Sequence, residues 1–253
     1  MRFRRKIQKL PHKLKKLVDG RGLVSARKHT LRLLRAGRFP LATKSVIESI
    51  DQAGFEQIRQ RYAVKDPGVD SPKYLDLDRW IDINIRRIRQ TELDVVRPRQ
   101  ILDLGCGAGY FLYIAQLLGH HGLGLDVDEL PMFREITNLL GVRRVVERID
   151  AFRPLPDLDR KFDLITAFLV CFNNHKMPNL WGVAEWEFFL DDIAKHLTPR
   201  GRVWFELNQE YDGTFYTLEL KELFQRRGAN INEHKIIFNS GLPALSLTSP
   251  VAR

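Results

Sequence analysis

Only two cysteines, Cys106 and Cys171, occur in the 253 residues. They cannot form the bridge framework of small secreted domains, so nothing calls for an oxidising compartment. No apolar run approaches the roughly 18 residues of a membrane-spanning helix, and no apolar segment follows the charged start to act as a signal peptide. Internal repeats and low-complexity tracts are missing, which argues against a solenoid or a tract-built linker. No histidines share a ligand spacing such as H-x-x-x-H with a carboxylate partner, so no metal is expected. These gaps suggest a soluble cytoplasmic chain, and its length fits one domain with extensions or two small ones. An apolar fraction of 44% suffices for its core.

Acidic residues are scarce at one end. Residues 1–44 hold eight Arg and seven Lys against Asp19, a net +14, whereas the whole chain carries +10 and the remainder is therefore near −4. Such segregation suggests a surface that meets polyanions: phospholipid head groups, nucleic acid or an anionic glycan. Phe3, Ile7, Leu10, Leu14 and Leu17 share one helical face among the basic residues. That pattern suits a helix lying on a membrane surface and a protein peripheral to it, although Pro11 interrupts it. The alternative is a helix docked on the body with its charges solvated.

A helical segment is expected over about 45–64, followed by the turn-rich KDPGVDSP, Lys65 to Pro72. The chain thus divides into a basic, mainly helical extension, residues 1–70, and a body, residues 71–253. In the body Leu77, Trp80, Ile81, Ile85, Ile88 and Leu93 form one helical stripe. Strands are then expected at Gln100–Leu104, Gly122–Asp126, Val145–Ile149, Phe162–Phe168, Arg202–Asn208 and Glu233–Phe238. Helices are expected at Gly109–Leu118, Leu130–Leu140, Glu185–His196 and Phe215–Arg227. This alternation predicts an α/β fold, a doubly wound, mostly parallel sheet with helices on both faces. Ligands of such sheets bind at the carboxyl ends of the strands, where strand order reverses.

The first strand runs into ILDLGCGAGY, residues 101–110. Gly105, Gly107 and Gly109 let the backbone turn sharply and approach a ligand, and a helix N-terminus with free amides follows. A dinucleotide fingerprint needs G-x-G-x-x-G. Here the last glycine comes one residue early, and Tyr110 follows it. The second strand ends GLGLDVDE, with Asp126 placed 21 residues after Gly105. A carboxylate there can accept both ribose hydroxyls of an adenosine, and Val127 could pack on an adenine face. Asp126 could instead cap the next helix, though Asp128 is the better cap.

Taken in order, these motifs resemble a class I S-adenosylmethionine-dependent methyltransferase over about residues 74–238. ILDLGCGAGY resembles the superfamily's first motif, GLDVD its second, ERIDAF its third and KFDLITAF its fourth. HLTPRGRVWFELN resembles the fifth strand with its lead-in. The resemblance implies a Rossmann-like methyltransferase fold and S-adenosyl-L-methionine as cofactor. Asp103 would help hold the methionine end, with Gly105, Gly107 and Gly109 wrapped round it. Asp126 and Val127 would hold the adenosine, Asp150 with Ala151 would meet the adenine, and the Phe168 backbone would touch the amino group. A sixth strand and an antiparallel seventh are also implied. INEHKIIFN can supply one of them, and Leu245–Thr248 is a candidate for the other.

The acceptor is less visible. No D/N-P-P-Y/F/W motif follows the fourth strand, which argues against base-amine methylation. Cys171 follows Val170 rather than a proline, which argues against a covalent adduct on cytosine. Cys171 and Cys106 read as packing residues. CFNNHKMPNLWGVAEWEFF should form part of the acceptor pocket. In it His175 is the candidate general base, Asn173 and Asn174 could orient a hydroxyl or amide, and Trp181 and Trp186 could stack on a sugar or ring. Alternatively the tryptophans are core and His175 is a bystander. The expected activity is methyl transfer to an oxygen or nitrogen of a small molecule, glycan or lipid-linked glycan. An RNA methyltransferase, or a non-catalytic methyltransferase-like binding protein, is the alternative.

Overall fold

The computed structural model describes residues 21–36, 41–63, 71–170, 172 and 180–242. Helices α1 (Arg21–Ala36), α2 (Thr43–Glu48) and α3 (Gln52–Tyr62) lead into a 3-10 turn, Ser71–Leu75, and α4 (Leu77–Gln90). Then follow β1 (Gln100–Leu104), α5 (Tyr110–Leu117), β2 (His121–Asp126), α6 (Pro131–Leu139), β3 (Arg144–Val146) and β4 (Phe162–Val170). The chain continues with α7 (Val183–His196), β5 (Leu197–Leu207), α8 (Leu218–Arg226), β6 (Asn230–Asn232) and β7 (Lys235–Phe238). No helix of the described residues is long and apolar enough to cross a membrane.

The sheet has seven strands in the order β3-β2-β1-β4-β5-β7-β6. β1 to β5 are parallel, and β7 runs antiparallel between β5 and β6. Strand order reverses between β1 and β4, so the switch point lies at the end of the glycine-bearing first strand. Two points correct the expectation. The strand expected at Val145–Ile149 is the shorter Arg144–Val146. INEHKIIFN supplies both the sixth and the seventh strand, because the chain reverses at Glu233, whose φ is 52°. Leu245–Thr248 lies outside the described residues. Both outermost strands, β3 and β6, are three residues long.

Each sheet face carries its own apolar core. On one, α4 buries Ile81, Ile85 and Ile88 beside α5, whose Phe111, Leu112 and Ile114 are also buried. On the other, α7 and α8 bury Trp186, Phe189, Leu190, Leu223 and Phe224. The single helix expected over 45–64 is two helices. Asp51 ends the first run and caps α3 by accepting hydrogen bonds from the N–H groups of Ala53 and Gly54. Val46, Ile50, Phe55 and Ile58 of α2 and α3 join the core of α4 and α5. The expected division between residues 1–70 and 71–253 therefore does not separate two cores. Helix α1 is tied to the segment after α4 by the Lys28–Glu92 pair and by Arg32–Asp94 at 2.5 Å. The apolar stripe Phe3–Leu17 lies outside the described residues.

Candidate functional site

Gly105, Gly107 and Gly109 all have positive φ, at 67°, 52° and 75°. Side chains rarely adopt this region. Space is closed as well: a Cβ on Gly105 would meet Val170 Cγ2 at 2.4 Å. Gly107 is more open: among the described residues a Cβ there would meet only the Phe133 ring within 4 Å, at 3.7 Å. Gly109 is the N-cap of α5 and has no side chain to bond its free amides. Tyr110 is buried, and its hydroxyl donates to Tyr74 O at 2.8 Å. It thereby anchors the 3-10 turn whose Tyr74 stacks on Trp80 and meets Phe133 edge-on. This aromatic wall beside Gly107 escaped the sequence reading, because Tyr74 and Phe133 are far apart along the chain.

Two carboxylates end adjacent strands at the loop. Asp126 Oδ2 accepts from the Gly107 N–H at 2.5 Å, and Oδ1 from the Val127 N–H at 2.7 Å. Burial raises its pKa, opposed by those two hydrogen bonds and by Arg144. Asp126 thus braces the glycine loop while its remaining lone pairs stay available to hydroxyl donors. Asp103 is buried, lies in register with Thr166 and Gly124, and accepts from Thr166 Oγ1 at 2.6 Å. Burial pushes its pKa up to about 7, against the opposing pull of the Thr166 hydrogen bond and the Arg87 charge.

A buried ionic group near Asp103 was not anticipated. Arg87 Nε donates to Glu206 Oε2 at 3.1 Å, Lys235 lies 3.2 Å from Glu206 Oε1, and the Arg87 guanidinium sits 4.3 Å from the centre of the Phe168 ring. The available signals were an acid inside the apolar run RVWFEL and an arginine on the buried stripe of α4. Phe168 is half-buried and meets Phe111 edge-on.

Other expected residues fall as follows. Asp128 is not a helix cap: Leu130 takes that position ahead of Pro131, and Asp128 pairs with Arg134 and Arg144. Asp150 is half-exposed with Arg153 3.5 Å away, and Ala151 is exposed beside it. Cys106 is buried, and Gly124 makes room for it, since a Cβ there would meet the sulfur at 2.5 Å. Cys171, Asn173, Asn174 and His175 lie outside the described residues. Trp181 and Trp186 offer no free stacking face. They are buried in an aromatic cluster with Phe172, Phe189 and Phe205, with ring centres 5.0–6.1 Å apart. They also line a narrow cleft of about 30 Å³ at the carboxyl ends of β4 and β5. Among the described residues, no group of three His, Cys, Asp or Glu could hold a metal ion.

Residues 102–205, from β1 to β5, match the family model described as a methyltransferase domain. Over these residues the chain carries a methyltransferase domain. Solved structures with similar folds include CalS10, an amino pentose methyltransferase from Micromonospora echinaspora, at 29% identity and TM-score 0.35, covering 51% of this chain and 49% of that one. The ribosomal protein L11 methylase from Lactobacillus delbrueckii subsp. bulgaricus aligns at 19% identity and TM-score 0.42, covering 64% and 80%. The glycopeptide N-methyltransferase MtfA aligns at 18% and 0.36, covering 50% and 52%. The chain thus spans about half the length of two of these three. The matched domain, not these superpositions, carries the assignment. No curated protein matches the chain.

The methyltransferase site suits its cofactor on its own terms. Three glycines shape a cradle that side chains would fill. The buried Asp103 and the half-buried Asp126, both with raised pKa values, favour a ligand that brings a positive charge to Asp103 and hydroxyl donors to Asp126.

Proposed function

We propose that this protein transfers a methyl group from S-adenosylmethionine to an oxygen or nitrogen of a small molecule, glycan or lipid-linked glycan. The observation that carries the reading is the positive-φ glycine loop braced by Asp126 at the β1–β4 switch point. When bound, the cofactor supplies a methyl carbon on a sulfonium sulfur, and that sulfur keeps the bonding electron pair as the acceptor atom forms the new bond. The protein's part is positioning. Asp126 would accept hydrogen bonds from the ribose hydroxyls, Asp103 would hold the ammonium end, and the glycine loop would wrap the methionine part of the cofactor. Val170 lines the cleft and also fills the space that a Gly105 side chain would take, so the cleft adjoins the glycine loop. His175 is our candidate to receive the acceptor proton.

Calorimetry tests the reading: S-adenosylmethionine should bind at roughly micromolar Kd, near −8 kcal/mol. No binding to the folded protein, or tighter binding of NAD, overturns it.

We further infer a cytoplasmic enzyme that rests on an anionic membrane surface through its basic end. Helix α1 contains no acid and exposes Val24 and Leu34. Lys28 and Arg32 engage the body, whereas Val24, Arg27, His29 and Leu34 are exposed. Exposed apolar residues favour lipid over RNA. Co-sedimentation with phosphatidylserine vesicles that weakens with salt supports this. Equal binding to uncharged vesicles, or binding to RNA alone, refutes it.

A further inference from the structure

On the α4 face of the sheet a row of polar and charged groups crosses the strands. Asp103 of β1 lies in register with Thr166 of β4. Two residues further along β4, on the same face, Phe168 pairs with Glu206 of β5, and Glu206 pairs with Lys235 of β7. Arg87 of α4 meets this row. Its Nε donates to Glu206 Oε2 at 3.1 Å, its Nη2 lies 3.1 Å from the same carboxylate oxygen, and its Nη1 donates to Asn84 Oδ1 at 3.3 Å. Lys235 takes the other oxygen, Oε1, at 3.2 Å. The Arg87 and Glu206 side chains are only 10% and 7% exposed, and the guanidinium lies 4.3 Å from the centre of the Phe168 ring.

A buried guanidinium close to a site for a cation works against that site. In surroundings with little water its field reaches beyond the atoms it touches. Arg87 and Glu206 both act on Asp103, with opposite sign: Arg87 favours the ionised carboxyl and Glu206 the neutral one. An ammonium held by Asp103 would feel the same two charges, Arg87 as repulsion and Glu206 as attraction. We propose that Glu206 is a positioning residue for the amino end of the cofactor: it fixes the Arg87 guanidinium against Phe168 and cancels its charge, which leaves the Asp103 carboxylate to the ammonium. The proposal rests on the methyltransferase reading and deepens it. A tie that merely fastened α4 to β5 would act on every ligand of the site alike, whereas a charge balance acts on the ammonium alone.

The test uses the full-length protein at about pH 8.5, where Asp103 is ionised and an alkylamine is still protonated. Two probes are compared by calorimetry: decarboxylated S-adenosylhomocysteine, which keeps the ammonium, and 5′-methylthioadenosine, which lacks it. In Glu206→Gln the first should weaken about tenfold relative to the second, because the unbalanced guanidinium now opposes the ammonium. Lys235→Met removes a cation from the other oxygen of Glu206 and should move the ratio the opposite way, by about threefold in favour of the amine. Lys235 is the more exposed partner, with 20% of its side chain accessible, so this variant decides the proposal even if Glu206→Gln fails to fold. The proposal is overturned if either folded variant changes both ligands by the same factor, or if the two variants move the ratio in the same direction. Failure of the folded wild type to bind S-adenosylhomocysteine overturns the methyltransferase reading instead.

Discussion

The two sides of the switch point are built from different material. On the β1–β2 side the site is backbone: three glycines in left-handed conformations, two strand-end carboxylates and the amides they brace. On the β4–β5 side it is side-chain volume: rings packed on rings. The first construction tolerates little change in backbone shape, whereas the second makes binding and folding share the same residues. Substitutions should therefore separate the two sides by what they damage.

The largest effect is expected from Trp186→Ala. Removing a buried ring that meets Phe172 at 5.0 Å and Phe224 at 5.1 Å should cost about 3–5 kcal/mol of stability. Urea unfolding would read it, with cofactor affinity unchanged in the folded fraction. A variant as stable as the wild type would mean that the cluster is not core. Gly105→Ala should behave in the opposite way, with cofactor affinity falling about 100-fold, since left-handed strain and overpacking against Val170 each cost about 1–3 kcal/mol. Calorimetry within threefold of the wild type would show that the loop is no cradle. Asp126→Ala should weaken cofactor binding by about 1.5–3 kcal/mol, the scale of a charged hydrogen bond.

A pH experiment sharpens the comparison further. The Asp103 pKa is about 7 in the folded protein and 3.8 at its ordinary value. Between these limits the unfolded chain releases a proton that the folded chain retains. Raising the pH therefore favours unfolding, by up to about 1.4 kcal/mol per pH unit over that window. Asp103→Asn should flatten this part of the stability profile. Cofactor affinity should move the other way, rising toward pH 7 as Asp103 ionises to meet the ammonium. An unchanged stability slope in Asp103→Asn would place the titration elsewhere. The smallest effect belongs to Lys28→Ala. Its half-exposed pair with Glu92 should contribute less than about 1 kcal/mol to the melting transition.

The backbone side was legible in the sequence because its rules are local. Glycines at alternate positions after a strand, and an acid at the end of the next strand, state their geometry directly, and Gln100–Leu104 emerged with its bounds intact. The side-chain side was not. Whether Trp181 and Trp186 offer a face or bury it depends not only on Phe189 of the same helix as Trp186 but also on Phe172 and Phe205, which arrive from the segment after β4 and from β5. The Arg87–Glu206 pair joins residues 119 positions apart, a distance that no motif spans. The β6–β7 turn was missed for a third reason: a two-residue reversal without glycine gives no compositional sign.

A sheet has to end, and where it ends its unpaired N–H and C=O groups can recruit a strand from another molecule. Among the described residues the outermost strands are β3 and β6, each only three residues long, while the longer strands lie between them. A foreign strand would gain only a few ladder hydrogen bonds at either border, and at β6 it would meet Asn230 and Asn232. The hairpin that inserts β7 ahead of β6 thus limits amyloid-like growth, and concentrated solutions should resist clouding until that hairpin is lengthened.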